Sequence, residues 1–240
     1  MLLLLVRHGL TPITGSLLTG RLPGIHLSED GNRQAKEVAE RLACFPVKAV
    51  YSSPLERCVE TAEPIAARQR LEVQTVDDLA EVDYGDWQGK QMQRLYKLKV
   101  WSQLQAHPAE FRFPNGETIR EAQTRGIRAT EAMLARHPRH AVVVVSHADM
   151  IRLILAGYIG LGTDLYQRIT VGVASVSALL LGNRVPLLLR VSDTGSLEEL
   201  NKRLKPPAAA RENRRKAAPG RAGAPMAKPG KPGGKGAGGP

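Results

Sequence analysis

Two short apolar runs, Leu2–Val6 and Ala141–Val145, each stop just ahead of a histidine. The first continues as Arg7-His8-Gly9, and the second, an alanine followed by four valines, as Ser146-His147-Ala148. A run without alternation does not suit a strand with one wet face. It suits a strand buried on both faces of a parallel sheet. Such strands require helices over both faces, which confines the chain to the α/β class. In open α/β sheets ligands bind at the carboxyl ends of strands, the end where both histidines fall. One strand-end histidine reads as a cap or a surface residue. Two, one of them flanked by arginine and glycine, read as a site.

The remaining elements alternate in the same way. Val47–Tyr51 reads as a second strand ending in Ser52-Ser53-Pro54, with Pro54 suited to the first turn of a helix that runs to Gln69. Leu71–Val76 reads as a third strand. Ser28 offers an N-cap to a helix whose Ala35, Val38, Ala39 and Leu42 share a face and which Pro46 stops. The loop 77–89 contains Glu81. A mixed pattern over Gln91–Ala106 allows a helix. Another is expected over Glu117–Arg136, with Glu117 capping it and complementing its dipole, and a further one from Ala148 to about Ile159. Val176–Leu181 and Pro186–Val191 read as two antiparallel strands joined at Gly182-Asn183. Together these predict a three-layer α/β/α sandwich with a mainly parallel central sheet.

The net charge of +11 suggests a polyanion binder until it is located. Residues 201–240 hold 11 of the 34 Lys+Arg and one of the 23 Asp+Glu. Residues 1–200 are therefore nearly neutral, so the basicity belongs to the end of the chain. That segment has 8 glycines and 7 prolines and almost no large apolar side chains, too little to offset the entropy of ordering. The division expected is a folded domain over 1–204 and a disordered basic tail over 205–240. Aromatic residues make up 4% of the chain, which disfavours a surface of stacked rings. Cys44 and Cys58 form no CxxC and read as thiols on helix faces. The apolar start is too short for a signal-peptide core, and no stretch approaches a membrane span. A cytoplasmic protein is expected.

Arg57 falls in the first turn of its helix, beside the positive end of the dipole, where it is unfavourable unless an anion is near. A solvated Arg57 paired with Glu56 or Glu60 is the plainer reading. Arg7, Arg57, His8, His147 and Glu81 could instead converge on a tetrahedral anion, with arginines as forked donors, histidine as nucleophile toward phosphorus and a carboxylic acid as proton donor. Trp87 reads as a packing residue, Asp83 and Asp86 as loop solvators. His26, His107, His137 and His140 fall in loops or at helix ends, outside the site.

The string Arg7-His8-Gly9-Leu10-Thr11 resembles the RHGxT signature of the histidine phosphatase superfamily, the phosphoglycerate-mutase-like enzymes. The resemblance continues in order through Leu27–Gly31, Tyr51–Ala62, Glu81 with Gly85–Gly89, Phe113–Thr118 and Val145–His147, and covers about 1–191. It implies that His8 is the nucleophile, that Arg7, Arg57 and His147 form the phosphate pocket with Thr11 close by, and that Glu81 is the general acid. The implied reaction is hydrolysis of a small phosphorylated metabolite through a phosphohistidine, without metal or cofactor. A phosphomutase using the same pocket is the first alternative, and a non-catalytic scaffold with a polyanion-binding tail the second. The sequence departs from the family pattern at Thr14, which is kept as a substrate-binding candidate where asparagine is common and contacts phosphate, and at Ala148-Asp149, where Gly-Gly is common. Asp149 would repel an anion unless its side chain turns away. The short span from Glu81 to Glu117 favours the phosphatase branch over the mutases.

Deleting residues 206–240 is expected to leave kcat on a small phosphate ester unchanged. It should also abolish any salt-sensitive binding of RNA, DNA or acidic vesicles. A large fall in kcat would contradict the two-part division.

Overall fold

The computed structural model describes residues 1–182 and 185–204. The expected tail, and Asn183 of the expected final turn, lie outside the described residues. The strands are β1 (Leu2–Arg7), β2 (Val47–Ser52), β3 (Val73–Thr75), β4 (Ala141–Ser146), β5 (Val176–Leu180) and β6 (Leu187–Asp193). They form one sheet in the order β3-β2-β4-β1-β5-β6. The first four are mutually parallel, β5 is antiparallel to β1, and β6 is antiparallel to β5. The expected α/β class and mainly parallel sheet are both present.

The crossovers explain where the helices go. From β1 through α1 (Glu29–Leu42) to β2, and on through α2 (Glu56–Gln69) to β3, the chain moves toward one edge of the sheet. It then passes through two short helices, α3 (Met92–Leu95) and α4 (Lys99–Ala106), and through α5 (Ile119–Arg136). From there it returns to β4 in the middle. Right-handed crossovers running in opposite directions place their helices on opposite faces. The α1 and α2 helices accordingly pack on each other, while α5 packs on α6 (Ala148–Ile159). Leu3, Leu5, Ala49, Tyr51, Val142 and Val144 join the α5–α6 side in one apolar cluster. The alternate residues Leu4, Val6, Val50, Val143 and Val145 are fully buried on the other side of the pleat.

Because β1 leads to one face and β4 to the other, the chain diverges after this central parallel pair. That divergence opens a crevice at their carboxyl ends. The register pairs Val6 with Val145 and Arg7 with Ser146, so the next residues, His8 and His147, emerge side by side.

Several boundaries differ from the sequence reading. The third strand shrinks to Val73–Thr75, because Leu71 N–H still closes the C-terminus of α2 on Ala66 O and Arg70 sits at φ 57°. Pro54 precedes its helix rather than opening it. Ser53 N–H is still tied to Val145 O in the sheet, and α2 begins only at Glu56. Glu117 caps nothing. Thr118 is the N-cap of α5, with Glu121 completing a capping box. Cys44 lies beyond the end of α1 instead of on its face, whereas Cys58 is buried in α2. The 91–106 segment breaks into α3 and α4 around Lys97-Leu98.

Two glycines let the loop after β1 press onto the start of α1. A Cβ on Gly9 would stand 2.7 Å from Gly31 O, and one on Gly31 would stand 2.0 Å from Leu10 O. Leu10 O in turn accepts from Ser28 N–H at 2.9 Å, and Gly9 N–H donates to Thr61 Oγ1 at 3.0 Å. The residues flanking His8 on its C-terminal side are thus held by backbone packing. Gly31→Ala is expected to cost about 1–3 kcal/mol of stability through overpacking. Gly162→Ala, whose Cβ meets nothing within 4 Å, should stay within about 0.5 kcal/mol of wild type. Urea unfolding of both variants checks this, and equal midpoints would contradict the close-approach argument.

Candidate active site

At the carboxyl edge lies a cavity of about 250 Å³ whose wall includes Arg7, His8, Thr11, Thr14 and Glu81. His147 and Arg57, expected beside them, stand behind this wall at 1% exposure each. The His147 ring meets His8 edge-on, with centroids 5.3 Å apart.

His8 Nδ1 lies 2.8 Å from Gly9 O. A carbonyl only accepts, so Nδ1 must carry the hydrogen and Nε2 keeps its lone pair. Burial, and then the charges of Arg57 and Arg7, push the His8 pKa down to about 3, although the bond to Gly9 works the other way. The imidazole is therefore neutral across the physiological range. His147 lies against Ser53 Oγ (2.8 Å) and Cys58 Sγ (3.4 Å) through Nε2. Burial, followed by the charges of Arg57 and His8, holds it well below the ordinary histidine value. This imidazole too is therefore held in its neutral form. The Cys58 thiol beside it is pushed well up by burial, so it is no nucleophile.

The arginines are secured by carbonyls. Arg7 Nη1 donates to Val171 O at 2.8 Å. Arg57 donates to Gly20 O (2.6 Å) and Leu22 O (3.4 Å) instead of pairing with Glu56 or Glu60. The Nε of each is buried without a partner. Thr14 lies on the cavity wall and is hydrogen-bonded to Thr11. Its Oγ1 accepts from Thr11 N–H at 3.0 Å and lies 2.9 Å from Thr11 Oγ1. Two hydroxyls sharing one hydrogen bond leave one O–H of the pair free to donate.

Glu81 is 7% exposed. It accepts from the adjacent Val82 N–H at 3.0 Å and, at the start of α6, from Met150 N–H at 3.1 Å. Those bonds favour the carboxylate, but burial and the neighbouring charge of Asp149 outweigh them and push its pKa up to about 7. Asp149 itself turns to Arg152 (2.7 Å) and accepts from Tyr84 O–H (2.7 Å).

Sequence reasoning missed Arg152 and Tyr84, both on the cavity wall. Arg152 carried a usable signal, since it follows Asp149 by three residues, one helical turn along α6. Reasoning from sequence also missed the clamp that holds Glu81. Arg21 and Arg125 both donate to Glu81 O at 2.9 Å, and Glu117 Oε1 receives both guanidinium groups. The members of that clamp are too far apart in sequence to be linked by spacing. Among the described residues no group of three His, Cys, Asp or Glu could hold a metal ion. No described helix is long and apolar enough to cross a membrane.

Comparison with known proteins gives consistent matches. A family model described as "Histidine phosphatase superfamily (branch 1)" matches residues 3–194. Phosphoserine phosphatase 1 of Hydrogenobacter thermophilus is 30% identical over 205 residues, covering 82% of this chain and 94% of that protein. Phosphoglycerate mutase-like protein 4 of Arabidopsis thaliana is 34% identical over 156 residues, 62% of this chain and 67% of that one. A mycobacterial glucosyl-3-phosphoglycerate phosphatase solved with VO3 superposes with a TM-score of 0.73 at 27% identity, covering 80% of this chain and 99% of that one.

Asp149 is the lever on Glu81 that can be tested directly. A carbon-13 NMR titration of the Glu81 carboxyl is expected to show a midpoint near 7. In Asp149→Asn the midpoint should fall toward the ordinary carboxylate range, because the repelling charge is gone and Arg152 is released. An unchanged midpoint would show that Asp149 does not set it.

Proposed function

From the premise that the chain belongs to the histidine phosphatase superfamily (branch 1), we propose that it hydrolyses a small phosphate monoester through a phosphohistidine on His8. The observation that carries this is the fixed tautomer of His8, neutral with its free lone pair on Nε2. In the first half-reaction Nε2 attacks phosphorus, the N–P bond forms and the P–O ester bond breaks. Glu81, protonated below about pH 7, gives its proton to the departing alkoxide. In the second, the Glu81 carboxylate takes a proton from water as that water attacks phosphorus. The N–P bond then breaks, releasing inorganic phosphate and restoring His8.

Arg7 and the free hydroxyl of the Thr11–Thr14 pair are the donors proposed for the phosphoryl oxygens. Arg57 and His147 act from behind His8. Arg57 supplies positive charge, and the neutral His147 ring holds His8 in place. A buried donor without a partner, such as Arg7 Nε, costs about 1–3 kcal/mol, which an anion would recover. With two guanidinium groups near the transferring group, the reaction as proposed needs no divalent ion. Hydrolysis is preferred to phosphoryl return because similarity to a phosphoserine phosphatase extends along nearly the whole of that relative.

His8→Ala is expected to abolish turnover, and quenched wild type should hold an acid-labile, alkali-stable phosphoenzyme. Activity should survive exhaustive chelation and fall with vanadate. Near-normal activity in His8→Ala, or recovery only on adding a divalent ion, would overturn this mechanism.

A further inference from the structure

A second cavity, of about 280 Å³, adjoins the catalytic one. The two share Leu18, Tyr84, Met92, Asp149 and Arg152 as a common wall. Beyond that wall the character changes. The second cavity is faced by Trp87 and Trp101, whose rings lie 20° from parallel with centroids 6.1 Å apart. Leu104, Phe113 and Tyr166 also face it, and Phe113 packs edge-on to both Trp87 and Tyr84. Its only charged lining residues among those described are Asp149 and Arg152, and they neutralise each other at 2.7 Å. Gln105 and Gln167 supply neutral hydrogen-bonding groups. Trp87, read from sequence as packing alone, is both packed and a lining residue.

We propose that this cavity receives the alcohol portion of the substrate, and that the preferred substrates are phosphate esters of uncharged alcohols bearing a flat apolar ring. The inference rests on the phosphatase reading for its location and on the aromatic cavity for its content. Flat rings pack favourably against indole and phenyl faces. A carboxylated alcohol is disfavoured because Arg152, the one lining cation among the described residues, is already bound by Asp149, so its carboxylate would lose water without gaining a free cation. Selection therefore comes from an attractive apolar surface and from a lining cation that is already paired.

The chain's two tryptophans both line this cavity, so intrinsic fluorescence reports on it without requiring turnover. Titration of the wild-type protein with 2-phenylethylphosphonate, ethylphosphonate and phosphonate-linked serine tests binding alone. The aryl compound is expected to shift tryptophan emission saturably, to bind at least tenfold more tightly than the ethyl compound, and to be displaced by inorganic phosphate. The serine analogue should bind more weakly than ethylphosphonate. In Trp101→Ala the aryl-to-ethyl affinity ratio should collapse toward one. In Asp149→Asn the serine analogue should gain relative to ethylphosphonate. Equal wild-type affinities for aryl and ethyl compounds, or aryl binding indifferent to phosphate, would overturn the proposal. Parallel assays with 2-phenylethyl phosphate and ethyl phosphate, whose leaving groups are both alkyl alcohols, separate the two readings. Tight, phosphate-competed aryl binding with no hydrolysis of either ester would uphold the cavity's ring preference and defeat the phosphatase reading. Hydrolysis of both esters at equal kcat/KM would do the reverse.

Discussion

The parallel pairing of β1 with β4 is the constraint on which the site depends. These strands are adjacent in the sheet but distant in sequence, and their continuations leave toward opposite faces. Adjacency brings two histidines within van der Waals range, while divergence makes room for a ligand in front of one of them. The pairing persists one step past the strands, where His8 N–H donates to Ser146 O at 3.0 Å. On the far side of β4, Ser53 N–H reaches Val145 O, and the Ser53 side chain meets His147. Three strand ends therefore fix the imidazole pair, and no flexible loop is needed to aim it.

Burial then decides the charge state of each group. Holding an ion away from water without good partners costs several kcal/mol. An imidazole avoids that cost by losing its proton, and both His8 and His147 do so. A carboxyl avoids it by gaining one, which is the direction taken by Glu81. A guanidinium can do neither, so each arginine is met by oxygen: Arg7 by Val171, Arg57 by Gly20 and Leu22, Arg152 by Asp149. The outcome is a neutral nucleophile, an acid that titrates near neutrality and fixed positive charge. One rule, applied to three side-chain chemistries, produces the combination that phosphoryl transfer uses.

Much of this was legible from sequence because it depends on local pattern. The unbroken valines of β4 announce a strand buried on both faces, and the histidine that follows each of the two apolar runs points to one shared sheet edge. Ser28 capping Gly31 was readable from residue type and spacing. What escaped depends on contacts between distant segments. Glu117 stands one residue before a helix cap, so its position suggested capping. Its partners, Arg21 and Arg125, lie on a loop and on the second turn of α5. Asp149 read as a repelling charge because its two partners, Tyr84 and Arg152, could not be assigned without the fold. Tyr84 and Trp87 look alike in sequence as aromatic loop residues. Only the returning segment with Trp101 and Phe113 turns them into the wall of a cavity.

The central claim is that the fold prepares His8 as a neutral imidazole with hydrogen on Nδ1 and a free lone pair on Nε2. Nitrogen-15 NMR of imidazole-labelled protein in the absence of substrate reads both properties at once. The account predicts a neutral Nδ1–H tautomer for His8 throughout pH 5–8, with protonation only well below that range. A His8 that is imidazolium at pH 6, or neutral with its hydrogen on Nε2, would contradict it.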